Sequence, residues 1–484
     1  MNYSVVIYIL GWIMEIEAAF LALPGIVSAI YGEKGGFAFL WVALGSAVAG
    51  SAIILRKPKI MRFYLREGFV TVALSWILMS VIGCLPFVIN GDIPHFADAL
   101  FEMISGFTTT GATVVSDVEG LTKGSLFWRS FSHWIGGMGV LVFLLAIVPM
   151  AGGSHMNLMK AESPGPSVGK LVPKVRQTAK YLYIIYFALT MIEVIFLLFG
   201  GMNLFDASIH TFGSVGTGGF SNYNDSVAHF DSLYIEIVII VFMFLCGINF
   251  NLFFTGFRQG IKSFIGNPEF KLYLIITCTI SVLIGLTLVF SGSYSNPGKA
   301  FTDSVFQVVS VITTTGFFTA DYDIWPQFAR ALIFLLFFIG GCASSTAGGI
   351  KVFRILVLLK LVKRSIGTRL HPNAVIKIKI KGSSISNDLV SNVASFTFLY
   401  LCLIAAGSVL VSLDGYDMIT TISAVMTCLG NIGPGFNLTG PVMNFDIFSG
   451  WAKGVLSFLM IAGRLELFTF LAFFTPHFWN SDRY

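Results

Sequence analysis

Charge is what this sequence lacks. Only 11% of its 484 residues are Asp, Glu, Lys or Arg, against about 25% in soluble domains. A soluble enzyme carrying one anchor is therefore excluded, as are disordered and fibrous classes. Cysteine is scarce too: Cys84, Cys246, Cys278, Cys342, Cys402 and Cys428 stand singly, mostly inside apolar runs, with no C-x-x-C pair and no His at ligand spacing. That excludes a disulfide framework or a zinc finger, and the thiols read as small core residues. The N-terminal stretch lacks a basic segment, carries Glu15 and Glu17 and shows no small-residue cleavage site, so it is expected to stay as a helix. No His, Asp, Glu or Cys cluster recurs at one depth, as a membrane-embedded enzyme or a receptor site would need, so no bond-making chemistry and no covalent cofactor are expected.

What is abundant is apolar length. The apolar set makes up 55% of the chain and the mean hydropathy is +0.82. At about 20 residues per span the chain has room for roughly ten crossings of a lipid bilayer. The net charge of +5 comes from position, with no nucleic-acid partner needed: 22 of the 30 Lys and Arg fall in residues 56–66, 160–180, 258–271 and 351–381. The positive-inside rule puts these four segments, and with them the N-terminus, in the cytoplasm. Acidic residues such as Glu33, Asp92, Asp117, Glu119, Asp225 and Asp321 fall in the connections between, which makes the outer face attractive to cations.

With the basic segments inside, the spans pair. Residues 3–30 and 37–55 form a hairpin (domain 1–67). One plan then repeats four times, over 68–157, 158–262, 263–381 and 382–484: a long apolar span, a short segment beginning near an Asp, a Thr- and Gly-rich stretch, and a second span. The second spans are expected at 127–150, 232–257, 328–361 and 449–475. The central stretches read TTTGAT (108–113), GTGGFS (216–221), TTTGFF (313–318) and GNIGPG (430–435), each with Gly in fourth place. Gly111, Gly219 and Gly316 follow Asp98, Asp206 and Asp303 by 13 residues, and Gly433 follows Asp417 by 16. An Asp suits the first turn of a short helix, where it caps free N–H groups. Such a helix cannot span, so each segment must enter and return on one side. The expected fold is all-α and integral to the membrane: ten transmembrane helices with four re-entrant loops in pseudo-fourfold array.

Non-helical backbone at membrane depth must be buried in protein or line water. Four such loops converging on one axis would form a cation filter, because rings of carbonyls with Thr hydroxyls replace a hydration shell and Gly permits the necessary dihedrals. The filter set is Thr108, Thr109, Thr110, Gly111 and Ala112; Gly216, Thr217, Gly218, Gly219 and Phe220; Thr313, Thr314, Thr315, Gly316 and Phe317; and Gly430, Asn431, Ile432, Gly433 and Pro434. The ion ligands are expected at Thr109, Thr110, Thr217, Gly218, Thr314, Thr315, Asn431 and Ile432.

These stretches, with WIGGMGV (134–140), CGINFNLF (246–253) and GGCASSTAGGIKVFR (340–354), resemble the TrkH subunits of the superfamily that also holds KtrB and the plant HKT transporters. The likeness covers nearly the whole chain, and the extra hairpin at 3–55 is like TrkH and unlike KtrB. The resemblance implies K⁺ uptake at a bacterial inner membrane, pairing as a homodimer, and control by a cytosolic TrkA-like ring that binds the nucleotides (ATP, ADP or NAD) itself and docks near the basic 351–381 segment. Plant relatives that prefer Na⁺ carry Ser for the first-filter Gly; Gly111 stands here, so K⁺ is implied. The fourth stretch, with Asn431, Ile432 and Pro434, departs most, which implies weaker discrimination than in a symmetric channel.

Residues Gly340, Gly341, Ala343, Ser344, Ser345, Thr346, Ala347, Gly348 and Gly349 belong to ten positions without a large side chain, favouring an unwound loop beside a water-filled path. Family members place a gating loop here. Arg464, in the middle of an apolar run, is expected to face the interior and to bond carbonyls of that loop; Glu466 reads as a poor partner for it and Lys453 as merely interfacial. His133 and His210 read as satisfied core residues, and Asn249 and Asn251 as structural. The chief alternatives are a Na⁺- or H⁺-coupled carrier, opposed by parallel repeats and few intramembrane carboxylates beyond Glu15, Glu17 and Glu466, and a Na⁺-permeable member of the same superfamily.

Overall fold

The computed structural model describes residues 1–58, 65–139, 175–374, 376–380, 383–468 and 471. Apart from one two-stranded hairpin (β1 Lys379–Ile380, β2 Ser383–Ser384) and an isolated bridge, its regular elements are helical. In chain order the helices are α1 Tyr3–Ile30, α2 Gly36–Ile54, α3 Leu65–Asn90, α4 Phe96–Phe107, α5 Lys123–Met138, α6 Val175–Phe199, α7 Leu204–Gly216, α8 Leu233–Cys246, α9 Phe250–Gln259, α10 Ile261–Ile265, α11 Pro268–Phe290, α12 Pro297–Ile312, α13 Gln327–Leu336, α14 Val352–Leu370, α15 Asn387–Val411, α16 Met418–Gly430 and α17 Gly450–Arg464.

Six described helices are long and apolar enough to cross a bilayer, and α8 with α9 would make a seventh. The second spans are the ones that differ from expectation. That of repeat one is described only to residue 139, so its remainder and the basic 160–174 stretch lie outside the described residues. In repeat two, α8 and α9 meet at 90° across Gly247–Asn249, where a continuous span was expected. Gly247 leaves no room for a Cβ beside Tyr273 and Thr313, and Asn249 caps the new helix by accepting from Asn251 N–H. In repeat four the helix stops at Arg464, and Glu466 and Leu467 turn at positive φ. Arg464 therefore ends a helix and does not sit within one.

The short helices α4, α7, α12 and α16 hold 12, 13, 16 and 13 residues. They reach only about 18–24 Å, less than the roughly 30 Å hydrocarbon core. Their Asp residues do less capping than expected. Asp417 alone is an N-cap, accepting from Thr420 N–H; the Thr420 hydroxyl and N–H, with Asn437, hold its carboxyl below the usual range. Asp303 lies in the second turn of α12. What the carboxylates do is tie the returning chain to the helix that led it in. Asp206 accepts from Asn222 Nδ2 (2.8 Å) and Tyr223 Oη (2.9 Å), Asp303 from Thr319 Oγ1 (2.8 Å), and Asp417 from Asn437 Nδ2 (2.9 Å). In repeat one Glu102 takes this part, accepting from Val114 N–H at 2.9 Å.

The repeats pack in a ring. One core joins α3, α4 and α5 to α15, α16 and α17; a second joins repeats three and four around Ile312, Leu336 and Phe436; a third joins repeats two and three around Ile239, Phe306 and Phe317. Repeats one and two meet at Val118, Leu126 and Ile209. The N-terminal hairpin braces repeat one from outside the ring, where Glu33 accepts from Lys123 N–H at 2.7 Å and Gly124 N–H at 3.3 Å at the start of α5. Two of the six thiols, Cys278 and Cys402, are exposed on helix surfaces and not in the core.

Lys453 is buried and not interfacial: its Nζ lies 2.6 Å from Asp98 and 3.1 Å from Asp446. It clamps the fourth repeat to the first. Lys453→Met leaves Asp98 without its cation and should cost about 3 kcal/mol, read as a lowered Tm of the purified protein, with Lys453→Arg recovering most of it. Equal Tm in all three would contradict the clamp.

Candidate functional site

Each short helix ends in the same backbone turn. Thr109, Thr217, Thr314 and Asn431 have φ of 54°, 54°, 55° and 53°, and Gly111, Gly219, Gly316 and Gly433, two residues on, have φ of 80°, 81°, 85° and 94°. The N–H between them reaches back to the same carbonyl in every repeat: Thr110 to Ser105 (2.9 Å), Gly218 to Gly213 (2.8 Å), Thr315 to Ser310 (2.8 Å) and Ile432 to Thr427 (2.8 Å). This is a helix C-cap with a left-handed residue. The unusual feature is that Thr fills the left-handed position three times, at a cost of about 1–2 kcal/mol each, which only a surrounding packed structure sustains.

The four turns lie edge to edge in cyclic order. A Cβ built on Gly111 would collide with the Gly218 carbonyl, one on Gly219 with the Thr315 carbonyl, and one on Gly316 with the Ile432 carbonyl; one on Gly433 would meet Thr110 O at 2.7 Å. Glycine is thus required twice over, by φ and by the neighbouring strand. Around the ring the hydroxyls pair locally. Thr108 and Thr110 bond each other at 2.8 Å, as do Thr313 and Thr315, and Asn431 Nδ2 donates to Thr110 Oγ1 at 3.0 Å. Ala112, Phe220, Phe317 and Ile432 are buried behind or beside the turns, and Pro434 lies against Gly316.

Helix α5 supplies a support that sequence reading passed over. Arg129, fully buried, donates from Nε to Glu102 at 2.8 Å and from Nη2 to Thr113 Oγ1 at 3.1 Å, and its guanidinium lies 4.3 Å from the Phe220 ring centroid. One turn on, His133 shares a hydrogen bond with Gly106 O (2.7 Å) through Nδ1 and accepts from Phe220 N–H (3.2 Å) through Nε2. The two side chains join the first turn to the second. Their spacing with Gly136 is one helical face, a signal present in RSFSHWIGG (129–137) but hidden by its general polarity. Of the expected Glu15, Glu17 and Glu466 only Glu17 is buried, whereas Glu102, Glu193, Glu236 and Glu269 are buried as well. Each of these four has a partner: Arg129, Ser214, Lys299 and Ala343 N–H, respectively.

Beneath the ring the chain from Ile339 to Ile350 leaves helix and returns, closed at its neck by Gly340 N–H to Ile350 O at 3.0 Å. Its tip lies against the turns, with Gly348 N–H donating to Thr314 Oγ1 at 2.6 Å and no room for a Cβ on Gly348 beside Gly430 and Asn431. Arg464 donates from Nη1 to Thr346 O at 2.8 Å and from Nη2 to Gly136 O at 2.6 Å. Lys351 bonds Ala347 O. Glu466 pairs with Arg354, which the chain reversal after Arg464 makes possible. The break in repeat two receives the loop: Cys342 N–H donates to Gly247 O (2.8 Å), Thr346 Oγ1 to Cys246 O (3.2 Å), and Phe250 N–H to Ser344 O (3.1 Å). Nothing in the sequence linked these two motifs.

Residues 37–481 match the TrkH family, described as a cation transport protein. The chain is 36% identical over 487 residues to the Trk system potassium uptake protein TrkH of Escherichia coli strain K12, covering 99% of this chain and 100% of that protein. It is 33% identical over 484 residues to TrkG of the same organism, covering 99% of each. The crystal structure of the potassium transporter TrkH from Vibrio parahaemolyticus superimposes with a TM-score of 0.89 at 34% identity, covering 99% of this chain and 100% of that one.

Gly219→Ala and Gly201→Ala test the tightness of the ring. Both put a side chain at positive φ, 81° and 92°, but a Cβ at Gly201 meets nothing within 4 Å. Gly201→Ala should cost about 1 kcal/mol, and Gly219→Ala a further 1–3 kcal/mol, approximately, from collision with Thr315. Thermal unfolding that ranks them equally would mean the turns are not packed edge to edge.

Proposed function

The chain belongs to the TrkH family of cation transport proteins, and from that premise we propose that it carries K⁺ into a bacterial cell through the centre of its ring of four glycine turns. The observation that carries this reading is the fourfold recurrence of one C-cap, with a left-handed second residue and a positive-φ glycine two places on. Alternation of positive and negative φ along each turn permits successive carbonyls to face one axis, and the four short helices turn their negative ends to the same place. Carbonyls and hydroxyls of the second and third residues, Thr109 and Thr110, Thr217 and Gly218, Thr314 and Thr315, Asn431 and Ile432, then stand in for lost hydration water. Asn431 and Pro434 break the symmetry, so discrimination against Na⁺ is moderate.

In this reading the 340–349 loop is the gate, and its contacts with Thr314 and Asn431 support a shut passage. Arg464 keeps it so by bonding Thr346 and by placing a positive charge where a cation would leave the ring. Opening requires this loop to part from Thr314 and from the Gly247 break. The membrane arrangement that goes with this reading is ten spans and four re-entrant segments, N-terminus in the cytoplasm, in the bacterial inner membrane as a homodimer. A TrkA-like cytosolic subunit, holding the nucleotide, docks near the basic 351–381 segment. Transport follows the electrochemical gradient of K⁺ without a coupling ion.

Flux into liposomes containing the purified chain tests the reading. With an imposed voltage, K⁺ and Rb⁺ should enter well ahead of Na⁺ and Li⁺ with no other ion gradient present; uptake only when a Na⁺ or H⁺ gradient is added would establish a coupled carrier. Gly316→Ser should reduce the K⁺ preference, and unchanged selectivity would count against the ring as the filter. Arg464→Ala should raise basal flux about tenfold or more, the effect of roughly 1.4 kcal/mol withdrawn from the shut state; a loss of flux in a folded variant would overturn the gate assignment.

A further inference from the structure

The loop beneath the ring has an anchor on its first arm, as Arg464 is the anchor of its second. Glu269 stands in the first turn of α11, where a carboxylate ordinarily serves the free N–H groups of its own helix. Here Asn267 already caps that helix, its Oδ1 accepting from Glu269 N–H at 2.9 Å and from Phe270 N–H at 3.5 Å. The Glu269 carboxylate is therefore available to another element, although the residue is buried. Its Oε1 accepts from Ala343 N–H at 2.6 Å, where the 340–349 loop begins to turn. The next residue, Ser344, has φ of 55°, a conformation that a serine keeps only where its surroundings impose it. Asn249, Lys351 and Phe353 stand round the same carboxylate. Glu269 thus sits where the loop, the break between α8 and α9 and the start of α14 come together.

We propose that Glu269 is a positioning residue of the gate: by accepting from Ala343 N–H it holds the first arm of the 340–349 loop in the shut form, as Arg464 holds the second. The inference rests on the reading of that loop as the gate and deepens it. The two anchors match the backbone groups they hold, since a carboxylate receives the N–H of Ala343 and a guanidinium gives to the carbonyl of Thr346. Hydrogen bonds with a charged partner are stronger than neutral ones, so these two outweigh the loop's neutral bonds to Gly247 O and Cys246 O. Parting the loop from Glu269 also leaves a buried acceptor without its donor, which is costly. The carboxylate therefore favours the shut form, and opening must release both arms.

The test pairs K⁺ flux into liposomes with hydrogen–deuterium exchange of the 340–349 segment in the purified full chain. Glu269→Met, which fills similar space without an acceptor, and the smaller Glu269→Ala should each raise basal flux about tenfold, the effect of one hydrogen bond to a charged group withdrawn from the shut state. Both should also speed exchange in that segment. Glu269→Gln, whose amide oxygen can still accept from Ala343 N–H, should raise flux no more than about threefold. The preference for K⁺ over Na⁺ should stay at the wild-type value in all three, because the glycine turns are untouched; a changed preference overturns the inference. Glu236→Met removes a buried carboxylate held by Lys299 and should leave basal flux unchanged. An equal rise in Glu236→Met would mean general loosening and overturns the inference, as does a rise in Glu269→Gln equal to that in Glu269→Met. Wild-type flux in the Met and Ala variants beside raised flux in Arg464→Ala overturns it and leaves the gate reading standing; wild-type flux in all three overturns both.

Discussion

The structure depends on one constraint: four helices too short to cross a bilayer must stop inside the protein without leaving their last carbonyls and N–H groups stranded. Each solves it with the same left-handed cap, and the solution costs strain at Thr109, Thr217 and Thr314. The strain is tolerable because the turns hold one another. The glycine of each turn has no side chain because the next turn occupies its place. A ring of this kind is cooperative in the plain sense that no turn has its geometry alone. The ties from Asp206, Asp303, Asp417 and Glu102 to the returning strands secure it from the outer side, and Arg129 and His133 secure the first turn to the second.

The same economy governs the layer beneath. A loop of small residues presents bare backbone at membrane depth, so every exposed N–H and carbonyl needs a partner. The loop's partners come from four other elements: Thr314 in the third turn, the broken helix at Gly247, Glu269 in α11, and Arg464 at the end of α17. A backbone held by a few hydrogen bonds and one guanidinium, and not by a packed apolar face, releases at modest cost. That ease of release follows from the absence of large side chains in residues 340–349 and fits the gating role proposed for them.

Membrane class, all-helical content, the fourfold repeat and the four central turns were legible in the sequence because they are local or periodic. Charge bias, apolar run length and a glycine at a fixed place all survive in one dimension. The role of the Asp residues was misread for a physical reason: proximity to a helix start suggests capping, but the atoms that compete for the carboxylate come from a strand that returns 16 to 20 residues later. Lys453 looked interfacial because its partner Asp98 lies 355 residues away. Glu466, expected to be a poor partner for Arg464, pairs with Arg354 instead, a contact that the chain reversal after Arg464 allows.

What the sequence determined by itself is therefore the inventory: membrane spans, four turns able to adopt positive φ, one unwound stretch, and one arginine too costly to leave in lipid. Tertiary structure alone decided which of these meet. The cyclic order of the turns, the bend at Gly247 that receives the 340–349 loop, and the pairing of Arg129 with Glu102 arise from packing between repeats separated by about a hundred residues, or from buried charges satisfied across a loop. Chain pattern records a residue's own preference, whereas a partner is set by where the remainder of the chain fills space.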